Sequence, residues 1–204
     1  MSKVKTKKHD TFIDMTAMSD VTVLLLTFFM LTANFIPKEP VQVITPASVS
    51  EVKVPDYDLI TILVDPHGKV FLNLDRPENK RQVLEKMGSY YGINFSKKEL
   101  DNFAAPTTFA AVPMGLMKTF LEKDLEDQDA FLKQYNGIPT DSANNQLAQW
   151  IKTAKDVNGN LAITIKADQS TPYPLIKGVT STLQDIKENR FSLVTTLRGM
   201  PEGL

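Results

Sequence analysis

The sequence predicts a single N-terminal transmembrane helix followed by a small α+β domain, in which a mixed sheet has helices on one face and carries a helical insertion. Two observations lead to this prediction. The first is an apolar run between Phe12 and Ile36 that contains no lysine or arginine. The second is the alternation of short β-branched runs with helix-like segments after residue 57, which is typical of a layered α+β domain.

Length and composition narrow the alternatives. A chain of 204 residues is long enough for one membrane span and one modest domain. Its formal net charge of −1 gives no basic excess of the kind that binds nucleic acid. The sequence contains no cysteine, which excludes disulfides, thiol nucleophiles and cysteine-based metal sites.

The apolar run has the composition of a membrane span. From Val21 to Ile36 its only polar residues are three threonines and an asparagine. A helix needs about 20 mostly apolar residues to cross a ~30 Å hydrocarbon core. The basic start also resembles the n-region of a signal peptide, but the run is longer than a usual h-region and lacks a small-x-small cleavage site. We therefore expect an uncleaved anchor over residues 13–36.

Flanking charges predict the orientation of the span. Lysines are more numerous before it than just after it, so residues 1–12 are expected to form a cytoplasmic tail. The lysines before the span are Lys3, Lys5, Lys7 and Lys8, and those after it are Lys38 and Lys53. The rest of the chain would lie beyond the inner membrane, in the periplasm of a two-membrane bacterium, as an extended proline-rich linker over residues 37–56 and a domain over residues 57–204.

A carboxylate lies near the start of the apolar run. A charged side chain at a helix centre costs about 2.5–3.5 kcal/mol on insertion scales, and less near an interface, so the presence of Asp20 needs a reason. At about 100° per residue, four polar residues fall within roughly 40° of one another: Thr16, Asp20, Thr27 and Asn34. Such a stripe should face a partner helix or a hydrated seam, where Asp20 could take up and release a proton. The alternative is that Asp20 sits at the headgroup level as a helix-start residue.

The residues around Asp20 resemble the start of the ExbD/TolR biopolymer-transport proteins, whose pattern is N-x-T-P-x-x-D-V-x-x-x-L-L-x-x-F-M. The corresponding stretch is MTAMSDVTVLLLTFFM, residues 15–30. Later segments are similar in the same order: VQVITPAS (41–48), LITI (59–62) with GKVFLN (68–73), ITIKAD (163–168) followed by Tyr173, and FSLVT (191–195). Ala17 stands where the family has proline, Thr45 where it has leucine, and the insertion at about 88–143 has no counterpart.

This resemblance, closest to the ExbD members, implies a proton-driven energy transducer in which Asp20 is the titrating residue. Thr16, Thr27 and Asn34 would line the proton path or pack against neighbouring helices. A dimer of such spans would sit inside a pentameric ring of a polytopic ExbB/TolQ-type protein and act through a TonB-type transducer in outer-membrane transport. The alternatives are a TolR-like subunit for envelope maintenance and a periplasmic binding module on a passive anchor.

The linker is a second candidate site. Prolines spaced among β-branched residues favour an extended chain. Within it, Val41, Val43, Ile44 and Pro46 form a segment that could add an edge strand to a neighbouring protein or to the energy-transducing partner. An ordered but inert linker is the alternative.

The domain predicted over residues 57–204, called the outer domain below, should contain a hairpin, several helices and two further strands. The expected elements are strands at 57–64 and 69–74 around a turn at 65–68, a helix at 77–87, helices in the insertion with a capping box at Ser96–Glu99, a helix capped by Asp141 or Ser142, a strand at 161–167, a helix at 174–189 and a last strand at 191–197.

The sequence carries no recognised enzyme signature. It has no glycine-rich phosphate loop, no H-E-x-x-H and no G-x-S-x-G. Its two histidines, His9 and His67, lie in the basic tail and in a Pro-His-Gly turn, and the acidic run 122–129 lacks the glycine turn of an EF-hand loop. We therefore expect no enzymatic activity, metal or cofactor. Asp168 ends a strand, either as a ligand-facing residue or as the cap of its own loop.

Overall fold

The computed structural model describes residues 15–33, 39, 43–48, 57–141, 144–194 and 196–197. The chain divides into two compact units, residues 1–37 and 38–204. The predicted cytoplasmic tail, Asn34, Val41 and most of the remaining linker lie outside the described residues, so the predictions made for them stay predictions.

The first unit is described as one helix, α1 (Thr16–Thr32), whose side chains are all exposed. Threonine hydroxyls along α1 donate to carbonyl oxygens of the preceding turn, as Thr27 Oγ1 does to the Val23 carbonyl at 3.0 Å. These bonds satisfy the hydroxyl donors inside the helix. In the described part of the chain, no helix has both the length and the hydropathy needed to cross a membrane.

The second unit contains the remaining elements. Its strands are β1 (Ala47–Ser48), β2 (Leu59–Val64), β3 (Val70–Leu74), β4 (Thr140–Asp141), β5 (Asn144–Asn145), β6 (Ala162–Ala167), β7 (Phe191–Leu193) and β8 (Thr196–Leu197). Its helices are α2 (Pro77–Tyr91), α3 (Lys97–Ala104), α4 (Met114–Leu121), α5 (Leu125–Gln134), α6 (Gln146–Val157) and α7 (Tyr173–Asp185).

The central sheet is mixed and has the strand order β3-β2-β6-β7. β2 pairs antiparallel with β3 and parallel with β6, and β6 pairs parallel with β7. The predicted turn between β2 and β3 is organised by the Asp65 carboxylate, whose Oδ1 accepts the N–H groups of His67 at 2.9 Å and Lys69 at 2.7 Å. Smaller pairs are formed by β1 with β8, in parallel, and by β4 with β5.

One face of this sheet carries the main hydrophobic core. Side chains alternate along a strand, so Ile60 and Ile62 of β2 point to the same face as Ile163 of β6. Helices α2, α6 and α7 contribute the facing apolar side chains. Trp150 of α6 is fully buried there and lies 5.8 Å, centroid to centroid, from the Phe103 ring of α3. The predicted small α+β domain with a mixed sheet and helices is confirmed.

The opposite face is partly covered by the insertion. Leu63 of β2 and Phe71 of β3 pack there against Phe109 and Ala111. These two residues belong to a non-helical segment, residues 105–113, between α3 and α4. The prediction of a helical insertion is therefore correct for α3, α4 and α5 and incomplete for this segment, which bridges to β3 at Ala110.

Local signals located some helix starts and missed others. The capping box is confirmed, because the Ser96 N–H donates to Glu99 Oε2 at 2.6 Å and Ser96 Oγ accepts from the Glu99 N–H. The predicted N-cap of α6, Asp141 or Ser142, is wrong. The N-cap is Asn145, whose Oδ1 accepts the Ala148 N–H at 3.0 Å. Asp141 instead pairs with Asn144 between β4 and β5, and Ser142 lies outside the described residues.

Several boundaries also differ from the prediction, and the largest differences are at three elements. α2 continues to Tyr91 and ends where Gly92 adopts a left-handed conformation, with φ 69°. α7 ends at Asp185, just before Lys187 with φ 64°. The last strand is divided into β7 and β8, and between them the Val194 N–H donates to the Ile165 carbonyl at 2.8 Å.

A polar cluster around Asp58 holds the start of β2. The N–H of Asp58 donates to Asp75 Oδ2 at 2.6 Å, and its carboxylate accepts from Arg76 Nε at 2.9 Å and Asn158 Nδ2 at 3.0 Å. Its carbonyl accepts the Ala162 N–H at 2.7 Å. Asp58 has φ 59°, which is uncommon for a residue other than glycine. The cluster supplies the bonds that hold this conformation.

Candidate functional site

The described residues of the predicted proton path lie on one face of α1. Thr16, Asp20 and Thr27 are spaced so that their side chains leave the helix from the same side. Asp20 is exposed and is the only ionisable side chain between residues 15 and 33. Asn34, the fourth predicted member, lies outside the described residues.

Thr27 can contribute to this face only as an acceptor. Its hydroxyl proton is shared between the carbonyl oxygens of Val23 at 3.0 Å and Leu24 at 2.9 Å. A hydroxyl has two lone pairs besides its one proton, so Thr27 Oγ1 can still accept a hydrogen bond from water or from a protonated acid. This face therefore combines one ionisable group with a hydroxyl two helical turns away that can accept a hydrogen bond.

The described part of the linker is docked on the outer domain. The Ile44 N–H donates to Asp168 Oδ2 at 2.8 Å, and the Ile44 carbonyl accepts the Gln169 N–H at 2.8 Å. Val43 packs against the apolar cluster on the second face of the sheet, and β1 pairs with β8. Within the predicted partner-docking segment, the backbone of Ile44 is thus already bonded to its own domain.

The described linker residues differ in how far their side chains remain accessible to a partner. The Ile44 side chain is 73% exposed although its backbone is bonded, so a partner could still contact it. Pro46 is half-buried and has no N–H to donate. Upstream, Lys166 Nζ of β6 lies 2.6 Å from Glu39 Oε1 in an ion pair whose side chains are partly exposed. No local pattern in the sequence indicates that Glu39, Lys166 and Gln169 help to dock the linker, because each of them is more than a hundred residues from its bonding partner.

Asp168 caps its own loop and also binds the linker. Its Oδ1 accepts the N–H of Ser170 at 2.8 Å and the Ser170 hydroxyl at 2.5 Å, while Oδ2 accepts from Ile44. Hydrogen bonds from the Ser170 side chain, the Ser170 backbone and the Ile44 backbone hold the pKa of Asp168 below its ordinary value of 3.8. The charged carboxylate therefore supports docking at all pH values above 3.8, and this support is lost as the pH falls through the lowered pKa.

Asp168→Ala is expected to loosen the linker without unfolding the domain. The change removes the acceptor of the Ile44 N–H, so hydrogen exchange at that amide should accelerate by roughly tenfold in the full-length protein. Asp168→Asn keeps an acceptor oxygen and should show a smaller effect. Asp185→Ala, at an exposed position at the end of α7, is the matched control. Equal exchange at Ile44 in all three variants would contradict the role of Asp168 in docking.

The described part of the outer domain has a cleft but no cluster of metal ligands. Within the described residues there is no group of three histidine, cysteine, aspartate or glutamate side chains that could hold a metal ion. His67 lines a cleft of about 540 Å³ between the β2–β3 turn and the insertion, together with Lys69, Tyr135 and Asp141. The Lys69 ammonium group is engaged there with the carbonyl oxygens of Leu132 and Lys133 at 3.3 and 3.0 Å.

Comparison with known proteins assigns the chain to a family. The family model described as biopolymer transport protein ExbD/TolR matches residues 6–198. Searches of curated proteins and of solved structures each found no match. The matched range contains α1 with Asp20, the linker and the outer domain through β8, including the insertion. The chain belongs to the ExbD/TolR family of biopolymer transport proteins.

Proposed function

We propose that this chain is the proton-binding subunit of an inner-membrane complex that converts proton-motive force into work on the outer membrane. The ExbD/TolR family implies an energy-transducing subunit of biopolymer transport that works with ExbB/TolQ-type partners and is not an enzyme. In the finer assignment, Asp20 carries the proton and the outer domain acts through a TonB-type transducer, as in an ExbD subunit.

The observation that carries this proposal is the isolated carboxylate of Asp20 on α1. A charged carboxylate costs about 2.5–3.5 kcal/mol at a helix centre on insertion scales, and less towards the start of the span where Asp20 lies, and a passive anchor gains nothing in return. A carboxylate that carries protons gives access to free energy, because moving one charge through 100 mV supplies about 2.3 kcal/mol. Proton transfer therefore explains why a carboxylate is present, whereas simple anchoring does not.

The surface of α1 supports a helical partner. Its apolar side chains are exposed on every side: Leu24, Leu25 and Leu26, about 100° apart around the helix, are 59%, 50% and 61% exposed. In this proposal, two copies of α1 lie inside a pentameric ring of an ExbB/TolQ-type protein, and the Asp20 face lines the seam between α1 and the ring. The N-terminus is cytoplasmic and the outer domain is periplasmic.

The proposal is tested by chemical labelling of Asp20 in the assembled complex. A hydrophobic carbodiimide reacts with protonated carboxyl groups in apolar surroundings, so native membranes containing the full chain and its ring partner should be modified at Asp20. Labelling, measured by mass spectrometry, should slow as the pH is raised. Asp101 of the outer domain, 47% exposed and paired with Arg81, is the internal reference and should react far more slowly.

Two outcomes would count against the proposal. Asp20 that reacts no faster than Asp101 would be a water-exposed carboxylate, as expected for a residue at the headgroup level. Fast labelling that is the same with and without the ring partner would mean that the partner does not form the seam around Asp20.

A further inference from the structure

β3 lies at one edge of the central sheet and has backbone groups that face away from it. Residues 69, 71, 73 and 75 exchange their backbone bonds with β2, as the bond from the Asp75 N–H to the Leu59 carbonyl at 3.3 Å shows. By alternation, the N–H and C=O groups of Val70, Leu72 and Leu74 point outward. An uncovered edge of this kind is a template for pairing with another strand.

Two segments of the insertion form hydrogen bonds with this edge, one at Leu72 and one at Val70. The Leu72 N–H donates to the Ala110 carbonyl at 2.9 Å, and the Ala110 N–H donates to the Leu72 carbonyl at 2.8 Å. Beyond α5, the Ile138 N–H donates to the Val70 carbonyl at 2.8 Å. Segments on either side of α4 and α5 therefore pair with neighbouring positions of β3.

Gly137 allows the second of these contacts. It has φ 79°, and a Cβ atom there would lie 2.6 Å from the Val70 oxygen and 2.7 Å from the Val70 nitrogen. Any other residue must push this part of the insertion away from β3 or distort the strand. Gly115, in α4 of the same insertion, has no atom within 4 Å of the equivalent position and supplies a matched comparison.

The insertion also hides apolar surface and is fastened by a buried lysine. Phe109 and Ala111 lie over Leu63 and Phe71, both 1% exposed. Lys80 of α2, itself 2% exposed, donates to the insertion through bonds of 2.8 Å to the carbonyl oxygens of residues 105 and 108. Without the insertion, the β3 edge would therefore be bordered by two large apolar side chains.

We propose that the insertion is an edge cap that prevents a second copy of this chain from pairing through β3. Two identical antiparallel edges can meet about a two-fold axis, and each would bring Phe71 of β3 to the contact, with Leu63 of β2 beside it on the same face. The proposed dimer of α1 helices would hold two outer domains at high local concentration, which makes such pairing a hazard. That last step rests on the proposed function, whereas the edge geometry does not.

The test compares glycine variants of the full-length protein purified in detergent. Gly137→Ala should accelerate hydrogen exchange at the Ile138 amide by roughly tenfold or more, and Ala110→Pro/Gly137→Ala should do so at Leu72 as well. The Asn73 amide, which faces β2, is the internal reference. Sedimentation at increasing protein concentration should show the uncapped variants associating more strongly than Gly115→Ala. All variants share α1 and Asp20, so association through the helix cancels in this comparison.

Each other outcome overturns the proposal. Fast exchange at Ile138 and Leu72 with the same association as Gly115→Ala would mean that the uncovered edge does not recruit a second copy. Unchanged exchange in the double variant would mean that these bonds do not hold the edge. Neither result bears on proton binding by Asp20, so the cap and the proposed function can fail separately.

Discussion

Cells whose only copy of this protein carries Asp20→Asn are expected to lose energy-dependent uptake across the outer membrane. Asparagine has nearly the same shape as aspartate and can occupy the same place on α1, but its amide cannot take up or release a proton at neutral pH. Membrane insertion and co-purification with the ring partner should therefore be retained while uptake falls to the level of the deletion strain. The measurement is accumulation of a substrate of an energised outer-membrane transporter.

Two control variants separate the loss of proton binding at Asp20 from other effects of the substitution. Asp20→Glu keeps a carboxyl group one methylene further out and should retain part of the activity, whereas Asp185→Asn on the outer domain should be neutral. Unchanged uptake in Asp20→Asn, in a strain where deletion abolishes uptake, would refute the proton path. Normal uptake combined with a leaky outer membrane in both the variant and the deletion strain would identify a TolR-like role instead.

Lys80→Ala is expected to lower the free energy of unfolding of the outer domain by about 3 kcal/mol. The change leaves a cavity and removes the donor to the Thr108 carbonyl, which belongs to a residue only 2% exposed. Lys86→Ala, an exposed position on the same helix, should cost less than about 0.5 kcal/mol. Unfolding of the full-length protein in urea can be followed by the fluorescence of Trp150, the single tryptophan, which is fully buried. Equal stabilities of the two variants would contradict the fastening role of Lys80.

The pH dependence of stability gives an independent check on Lys80. Burial lowers its pKa from 10.5 to about 8, against the opposing effect of the nearby Asp75 charge. Between these two values the unfolded chain binds the proton more strongly than the folded one, so the Lys80 contribution should grow as the pH rises from about 8 towards 10.5. The gain relative to Lys80→Met should reach no more than about 3.5 kcal/mol, since one pKa unit is about 1.4 kcal/mol. A difference that does not change with pH would mean that Lys80 is equally charged in both states.

Sequence reasoning succeeded where structure depends on neighbours along the chain. The capping box at Ser96 and Glu99 was predicted because its two bonds join residues three positions apart. The turn at Asp65 was predicted from a Pro-His-Gly motif for the same reason. Asn145 was missed as the cap of α6 because the short β4–β5 pair draws Asp141 into a hairpin, and two-residue strands leave no periodic pattern to read.

Long-range contacts account for what could not be predicted. Lys80 lies among polar residues at the start of α2 and gives no sign that its amine reaches carbonyl oxygens 25 and 28 positions away. The docking of Ile44 on Asp168 joins residues 124 positions apart, so Asp168 could be recognised as the end of a strand but not as a linker contact. On α1, helical spacing determines that Thr16, Asp20 and Thr27 share a side, while their role in a proton path stays a prediction.

The cluster at Asp58 has a mechanical consequence. If work passes through the linker and first releases its docked segment from Asp168 and β8, tension then reaches the domain where β2 begins. A strand pulled from one end is easily peeled when its bonds break one at a time. Asp58, just before β2, is held by four residues from different parts of the domain: Asp75 after β3, Arg76 before α2, Asn158 after α6 and Ala162 in β6. These contacts would have to yield together before β2 could be drawn out, so the domain should transmit a pull as one body.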